Sequence, residues 1–151
     1  MDAPIIDDCV VVKANVLVQD WREAIREAGK LLLKNNMIET SYIDAMIAQV
    51  ETKGPYIVLT KGLAMPHARP SDGALKIGVG LLTLAEPIYF GHEKNDPVKI
   101  VAALSSVDST SHLTLISRLA KILGCKNTIN SIVLANSSLE IYNLLKGGCD
   151  A

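Results

Sequence analysis

A histidine enclosed by prolines is the residue of this sequence best suited to do chemistry. His67 directly follows Pro66, and Arg69 and Pro70 come two and three positions later. Because proline fixes its own φ angle, this segment is predicted to be a rigid loop. A neutral imidazole offers a ring lone pair near neutral pH, so His67 is a candidate nucleophile. The alternative is a surface histidine in a tight turn, with its ring bonded to a nearby carbonyl group.

A second histidine could assist the first. His112 lies at the start of a predicted helix, three and four positions before Leu115 and Ile116, so it shares their face. A neutral imidazole there could donate an N–H to an anionic oxygen carried by His67, supported by the positive end of the helix. The alternative is a structural histidine at the edge of the core. His92 lies in a polar turn and is predicted to be solvated.

Most other chemistries lack their motifs. The chain has no GxSxG, GxxxxGK[ST] or GxGxxG sequence, and its three histidines are scattered without an HExxH pair. Cys9, Cys125 and Cys149 are far apart and form no CxxC pair, which favours idle thiols in a reducing compartment. We therefore expect no metal, nucleotide or other cofactor. A small hydrolase that uses His67 with Cys125 stays open as an alternative without a motif.

Composition limits the partners and the compartment. The chain has 151 residues, 49% of them hydrophobic, with 15 Lys and Arg against 16 Asp and Glu. This length is typical of one domain, so we predict a single domain over residues 1–151. A net charge of −1 gives no general attraction for nucleic acid or for an anionic membrane. The first residues lack a signal-peptide pattern, and no apolar stretch approaches the roughly 20 residues of a membrane span. We expect a cytoplasmic protein.

Strands and helices alternate along the sequence. The first predicted elements are strands at Val10–Val12 and Val16–Val18, a helix with Asp20 as its N-cap that ends at Asn35, and a helix with Thr40 or Ser41 as its N-cap that ends at Gly54. They are followed by strands at Tyr56–Leu59, Leu75–Leu84 and Val98–Leu104, and by helices from Asp108–Ser111 to Gly124, at Asn127–Ala135 and at Ser138–Lys146. The two long apolar strands do not alternate with polar residues, which indicates burial on both faces. The pattern predicts an α/β fold with three layers, α/β/α, around a mixed, mostly buried central sheet of about five strands. Residues 60–73 contain two prolines and two glycines, so no regular element is expected there.

The segment Gly62-Leu63-Ala64-Met65-Pro66-His67-Ala68-Arg69-Pro70 resembles a known active-site motif. It is similar to that of the mannitol/fructose-class (type 2) EIIA domains of the bacterial sugar phosphotransferase system (PTS). The helix at Tyr42–Met46 looks like the family's helix before the active loop, and the segment from Asn95 to Leu119 looks like its second-histidine region. The resemblance covers roughly residues 15–146 in order. The stretch at Gly54–Leu59 and the Ala-Arg-Pro after His67 look most like the ascorbate-specific branch.

The resemblance implies a phosphotransferase with a phosphohistidine intermediate. His67 would accept a phosphoryl group from phospho-HPr as tele-phosphohistidine and pass it to a cysteine of the cognate EIIB. His112 would be the second imidazole, which stabilises the phosphoryl group. The sugar, L-ascorbate by this branch, would be bound by the membrane permease EIIC, a separate component. Alternatives are an EIIA for fructose or a polyol, or a regulatory EIIA-like interaction domain. The isolated chain without a DNA-binding segment favours transport, and the apolar helix faces permit either a core or a homodimer.

One departure from the resemblance concerns charge. Mannitol-type members have an arginine in the helix before the active loop, and its place is taken here by Gln49. Arg69 and Lys61 are candidates to bind the phosphoryl group, because they are near His67 in the sequence. Because two partners must reach His67, we expect an accessible depression ringed by apolar side chains, those of Leu63, Met65 and Ala68.

Overall fold

The computed structural model describes residues 10–123 and 126–147, with the side chains at 109, 111, 112, 120, 126, 146 and 147 excepted. Within these residues a five-stranded mixed sheet forms the centre. Its strands are β1 (Val10–Val16), β2 (Val58–Thr60), β3 (Leu63–Ala64), β4 (Gly78–Ile88) and β5 (Val98–Ser105). Their order across the sheet is β1-β4-β5-β3-β2. β4 runs parallel to β1 and antiparallel to β5, and β3 runs parallel to β5 and antiparallel to β2. The predicted mixed sheet is confirmed.

Helices cover both faces of the sheet. They are α1 (Trp21–Lys34), α2 (Thr40–Lys53), α3 (Ser109–Leu123), α4 (Lys126–Leu134) and α5 (Ser138–Gly147). On one face, buried residues of α1 and α2 form a cluster with Leu82 and Leu84 of β4. On the other, residues of α3, α4 and α5 form a second cluster with Val79 and Leu81 of the same strand. Successive strand residues point to opposite faces, so β4 is apolar on both sides. The three-layer α/β/α prediction is confirmed.

The two helix starts before the active loop differ from each other. At α1 the Asp20 carboxylate accepts from the Glu23 N–H at 2.9 Å, so the predicted N-cap is confirmed. At α2 the N-cap is Glu39, which makes no side-chain cap, so the prediction of Thr40 or Ser41 was wrong. The Ser41 hydroxyl instead donates to the Asp72 carbonyl at 3.1 Å. This bond ties the start of α2 to the segment that follows His67.

Two strands have limits that differ from those predicted from the sequence. The N–H groups of Leu75 and Lys76 donate to the Met37 carbonyl, so β4 begins only at Gly78 and then runs on to Ile88. In place of the two strands predicted at Val10–Val12 and Val16–Val18, the structure has one strand, Val10–Val16.

The expectation of no regular element in residues 60–73 was wrong, because β3 and a 3-10 turn at Pro70–Asp72 lie there. Gly62, with φ +80°, allows the tight reversal from β2 into β3. The Gly62 carbonyl then accepts from Ile100 N–H, which starts the pairing with β5. A two-residue strand of this kind depends on its partner strand more than on its own residues.

Candidate functional site

The loop that carries His67 is anchored to the sheet on both sides of the histidine. Before it, the Met65 N–H donates to the Ile57 carbonyl at 2.9 Å, and the Pro66 carbonyl accepts from Leu104 N–H at 2.9 Å. After it, the Ala68 N–H donates to the Tyr42 hydroxyl at 3.1 Å. A loop with its backbone groups bonded to buried elements has little freedom to move. The rigidity that the prolines predict is therefore reinforced by hydrogen bonds to the core.

The ring of His67 is fixed by the backbone of its own loop. Its Nδ1 lies 2.9 Å from the carbonyl oxygen of Met65. Because a carbonyl only accepts, Nδ1 carries the hydrogen of this bond, and in the neutral ring Nε2 then holds the lone pair. The sequence indicates that some partner must fix the tautomer, yet it does not identify the Met65 carbonyl. A turn histidine bonded to a carbonyl was also the structural alternative, so the surroundings of the ring decide between the two interpretations.

Those surroundings form a depression of about 370 Å³, and its lining residues are Gln49, Lys53, Tyr56, His67, Ala68, Arg69, Pro70 and Leu113. The half-buried His67 ring meets the ring of Tyr56 edge to face, with centroids 5.9 Å apart and planes at 87°. An imidazole whose Nδ1 is bonded to its own loop, and which lines an open, partly apolar depression, meets two requirements of a reactive group.

The apolar rim differs from the one expected. Leu63 and Met65 are only 2% and 1% exposed and pack in the core beneath the sheet, so their assignment to the rim was wrong. Ala68 lines the depression as predicted but is itself buried. The exposed apolar residues at the depression are Tyr56, at 39%, and Leu113, at 66%. Leu113 belongs to α3, distant in sequence from the loop, and Tyr56 lies before β2, on the other side of the β2–β3 reversal, so proximity to His67 along the chain does not identify them.

Two cationic side chains line the depression, and they differ in whether they form an ion pair. Arg69 binds Asp72 through two side-chain hydrogen bonds of 3.2 Å, and these bonds hold the pKa of the Asp72 carboxyl below its ordinary value. Lys53 has no ion-pair partner among the described side chains. It follows Gln49 by one helical turn of α2, so the two residues share a face. The spacing alone could have identified Lys53 as a cation near the position of the absent arginine.

Lys61 is not brought to this depression. It lines a separate cavity of about 770 Å³, between the β2–β3 turn and α4, together with Lys99. The reversal at Gly62 turns the chain between Lys61 and His67, so nearness in sequence does not become nearness in space.

His112 belongs to α3, but its side chain lies outside the described residues. The next residue, Leu113, lines the depression, so this part of α3 borders the site.

His92 is half-buried, and its Nδ1 accepts from the N–H groups of Lys94 and Asn95, so it closes the turn before β5. Cys9, Cys125 and Cys149 lie outside the described residues. Among the residues that the structure does describe, no three His, Cys, Asp or Glu side chains are grouped as metal ligands. The same residues include no helix with the length and apolarity needed to cross a membrane.

Comparison with known proteins identifies the class to which this α/β/α fold belongs. The family model described as "Phosphoenolpyruvate-dependent sugar phosphotransferase system, EIIA 2" matches residues 6–148, and the chain belongs to this family.

Two curated relatives show how the chain sits within that family. It is 40% identical over 101 residues to the ascorbate-specific PTS system EIIA component of Shigella boydii, which covers 67% of this chain. The chain spans 66% of that relative, just under two thirds of its length. It is 35% identical over 130 residues to the mannitol-specific cryptic phosphotransferase enzyme IIA component of Escherichia coli, covering 86% of this chain and 88% of the relative.

A solved complex gives a structural comparison. The chain is similar, with a TM-score of 0.79 and 26% identity, to a chain in the complex of enzyme IIAMTL and phosphorylated enzyme IIBMTL from Escherichia coli. The match covers 90% of this chain and 94% of that one. The family therefore contains members named for ascorbate and for mannitol, and a member that has been observed bound to a phosphorylated EIIB.

Proposed function

We propose that this chain is a cytoplasmic phosphocarrier of a sugar phosphotransferase system. In this proposal, His67 accepts a phosphoryl group from phospho-HPr and passes it to the cognate EIIB, which serves the permease EIIC. The observation that carries the proposal is the 2.9 Å bond from His67 Nδ1 to the Met65 carbonyl, made in an open depression. This bond favours the tautomer in which Nε2 is the nucleophile, so the expected intermediate is tele-phosphohistidine.

The transfer balances without a further reactant. The Nε2 lone pair forms a bond to phosphorus while the bond from phosphorus to the donor breaks, and that electron pair returns to the donor. The phosphorylated ring keeps its Nδ1–H and carries a positive charge, which strengthens the hydrogen bond to the Met65 oxygen. When the EIIB cysteine, as its thiolate, attacks the phosphorus, the P–N bond breaks and its electron pair returns to Nε2. The protein's contribution is positioning and electrostatic stabilisation, as is general for phosphoryl transfer.

The depression supplies groups for the phosphoryl oxygens. A phosphoryl group brings a charge of about −2, which needs cations or N–H donors nearby. Lys53 lines the depression in the helix where mannitol-type members have their arginine, so it is our candidate for the replacing cation. Arg69 is the second cation, with part of its hydrogen-bonding capacity used by Asp72. His112 remains the proposed second imidazole, supported by the position of its neighbour Leu113 at the depression.

The proposed sugar is L-ascorbate. The support is the 40% identity to an ascorbate-specific relative, together with the resemblance of the loop to that branch. The sugar binds to another component of the system, so specificity here concerns which EIIB is recognised. Tyr56 and Leu113 form the exposed apolar rim at which both partner proteins would dock.

Radiolabel transfer tests the proposal directly. The protein is mixed with the first enzyme of the chain, HPr and labelled phosphoenolpyruvate, and acid-labile, base-stable label is measured. We expect His67→Gln to abolish the label and His92→Gln, the matched histidine outside the depression, to retain it. Full labelling of His67→Gln would refute the site. Label that moves to an ascorbate-type EIIB faster than to a mannitol-type EIIB supports the sugar assignment, and label that moves to no EIIB supports the regulatory alternative.

A further inference from the structure

The hydroxyl of Tyr42 lies between the His67 loop and the sheet. The residue belongs to α2 and is fully buried. Its Oη accepts from the Ala68 N–H at 3.1 Å and is 2.7 Å from the Leu104 carbonyl oxygen and 3.2 Å from that of Ala68. A hydroxyl has one hydrogen to donate, and the Leu104 oxygen is the closer acceptor. The hydroxyl therefore links the amide directly after His67 to strand β5.

The register of the sheet shows what this link replaces. β3 pairs with β5 at Leu63↔Ile100 and Ala64↔Val101, a constant offset of 37 positions. The same offset places His67 opposite Leu104. In a parallel ladder, a residue bonds through its N–H and its C=O to the residues before and after the one opposite it. Leu104 N–H does donate to the Pro66 carbonyl at 2.9 Å, as such a ladder requires. The second bond, from Ala68 N–H to the Leu104 carbonyl, is replaced by two bonds through the Tyr42 hydroxyl.

We propose that Tyr42 is a positioning residue for the reaction of His67. Its hydroxyl is inserted into the β3–β5 ladder at the His67–Ala68 peptide, and it holds that peptide one hydroxyl group away from β5. The backbone of His67 is thereby kept off the sheet at the spacing that presents the imidazole to the depression. This inference rests on the proposed function for its effect on phosphoryl transfer, although the insertion itself is a structural property.

Two further observations support a fixed bridge. Burial raises the pKa of Tyr42 to about 12, so the hydroxyl keeps its hydrogen at neutral and moderately alkaline pH. Gln49 and Lys53, which line the depression, lie on the same helix as Tyr42. The bridge therefore joins the helix that carries the proposed phosphoryl-binding cation to the loop that carries the nucleophile. The Tyr42 oxygen holds both groups in one frame next to the histidine, and the Ser41 bond to Asp72 adds a second link further along the loop.

Removal of the hydroxyl has a defined consequence. In Tyr42→Phe, the Ala68 N–H and the Leu104 carbonyl either lose their partner or close on each other in a direct ladder bond. Each outcome changes the position of the His67–Ala68 peptide. A misplacement of about 1 Å at a reacting group can cost on the order of 100-fold in rate. We expect kcat for phosphoryl uptake from phospho-HPr to fall by roughly 10- to 100-fold. KM should change little, because the docking rim at Tyr56 and Leu113 is untouched.

Thr83→Val is the matched control. Thr83 is buried in β4, and its hydroxyl accepts from the Asn15 N–H at 2.8 Å. Like Tyr42→Phe, this change removes one buried hydroxyl that receives a backbone N–H, but it acts between β1 and β4, away from the loop. The measurements are kcat and KM for uptake, the denaturation midpoint, and the imidazole ¹⁵N and ¹³C resonances of His67, which report its tautomer and pKa.

We expect Tyr42→Phe to lower kcat and to shift the His67 ring resonances, and Thr83→Val to lower only the denaturation midpoint. Equal losses of kcat in both variants, or an unchanged kcat and ring spectrum in Tyr42→Phe, would overturn the inference. If the wild-type chain takes up no phosphoryl group, the proposed function fails, and the ring spectrum alone then decides whether Tyr42 positions His67.

Should Tyr42→Phe not fold, 3-fluorotyrosine at position 42 keeps the bridge but makes its oxygen a weaker acceptor. The Ala68 amide and the His67 ring resonances should then shift together. A His67 ring that does not respond contradicts the inference.

Discussion

The charge of Lys53 should stabilise the phosphorylated state by a modest amount that depends on salt. Lys53 and His67 line the same depression, and a separation of about 9 Å between the ammonium and a phosphoryl group on His67 gives the order of magnitude. At about 9 Å in bulk water, one unit charge contributes about 0.5 kcal/mol, so a charge of about −2 gives about 1 kcal/mol. Screening at physiological ionic strength, with a Debye length of about 8 Å, reduces this to about 0.3 kcal/mol.

We therefore expect Lys53→Gln to shift the equilibrium of phosphoryl exchange with HPr away from this chain by about fivefold at low salt, and by less than about twofold at physiological salt. The assay is the distribution of label between the two proteins at equilibrium, measured across a salt series.

Lys61→Gln is the matched control, because it removes the same charge from the separate cavity beside α4. An equal effect of Lys61→Gln, or no effect of Lys53→Gln at low salt, would refute the assignment of Lys53. A salt-independent loss would also refute it, since a contribution of charge at this distance must be screened.

Two further changes test the rim and the loop. Leu113→Ala should raise KM for phospho-HPr and for EIIB by roughly 3- to 10-fold with kcat retained, because the exposed side chain contacts partners rather than the reacting atoms; a loss confined to kcat would contradict this. The Arg69 guanidinium lowers the pKa of Asp72 in the folded state, so the pair stabilises the fold above the ordinary carboxyl pKa, and this stabilisation is lost as the pH falls through the lowered value. Denaturation midpoints between neutral pH and pH 3 should therefore fall less steeply in Asp72→Asn than in the unaltered chain, and equal slopes would show that the pair does not contribute.

The sequence predicts the rigidity of the reactive loop, but not the groups that surround His67. Pro66 and Pro70 indicate a rigid segment, because proline restricts φ in any fold. The hydrogen-bond acceptor for His67 could not be predicted in the same way, since the orientation of the Met65 carbonyl depends on pairing with Ile57. Lys53 could have been predicted from helical spacing, because it lies four positions after Gln49 and therefore on the same face of the helix.

Predictions failed where nearness along the chain was taken for nearness in space. Lys61 is separated from His67 by the reversal at Gly62 and by β3, a strand that exists through its pairing with β5. Leu63 and Met65 are apolar and close to His67, but the pairing of this segment with β5 turns both side chains into the core. Such outcomes depend on long-range contacts, which a local pattern does not contain.

The attachment of the His67 loop to Leu104 has a consequence for how the site can open. β5 lies at the centre of the sheet, between β4 and β3. Amide protons that are hydrogen-bonded to a central strand exchange with solvent only when the surrounding core unfolds. The amide protons of Leu104 and Ala68 should therefore persist in heavy water nearly as long as those of the buried strands. Amide protons beside a reactive loop usually exchange faster than those of the core. Slow exchange here would show that the His67 ring keeps its position between encounters with partner proteins.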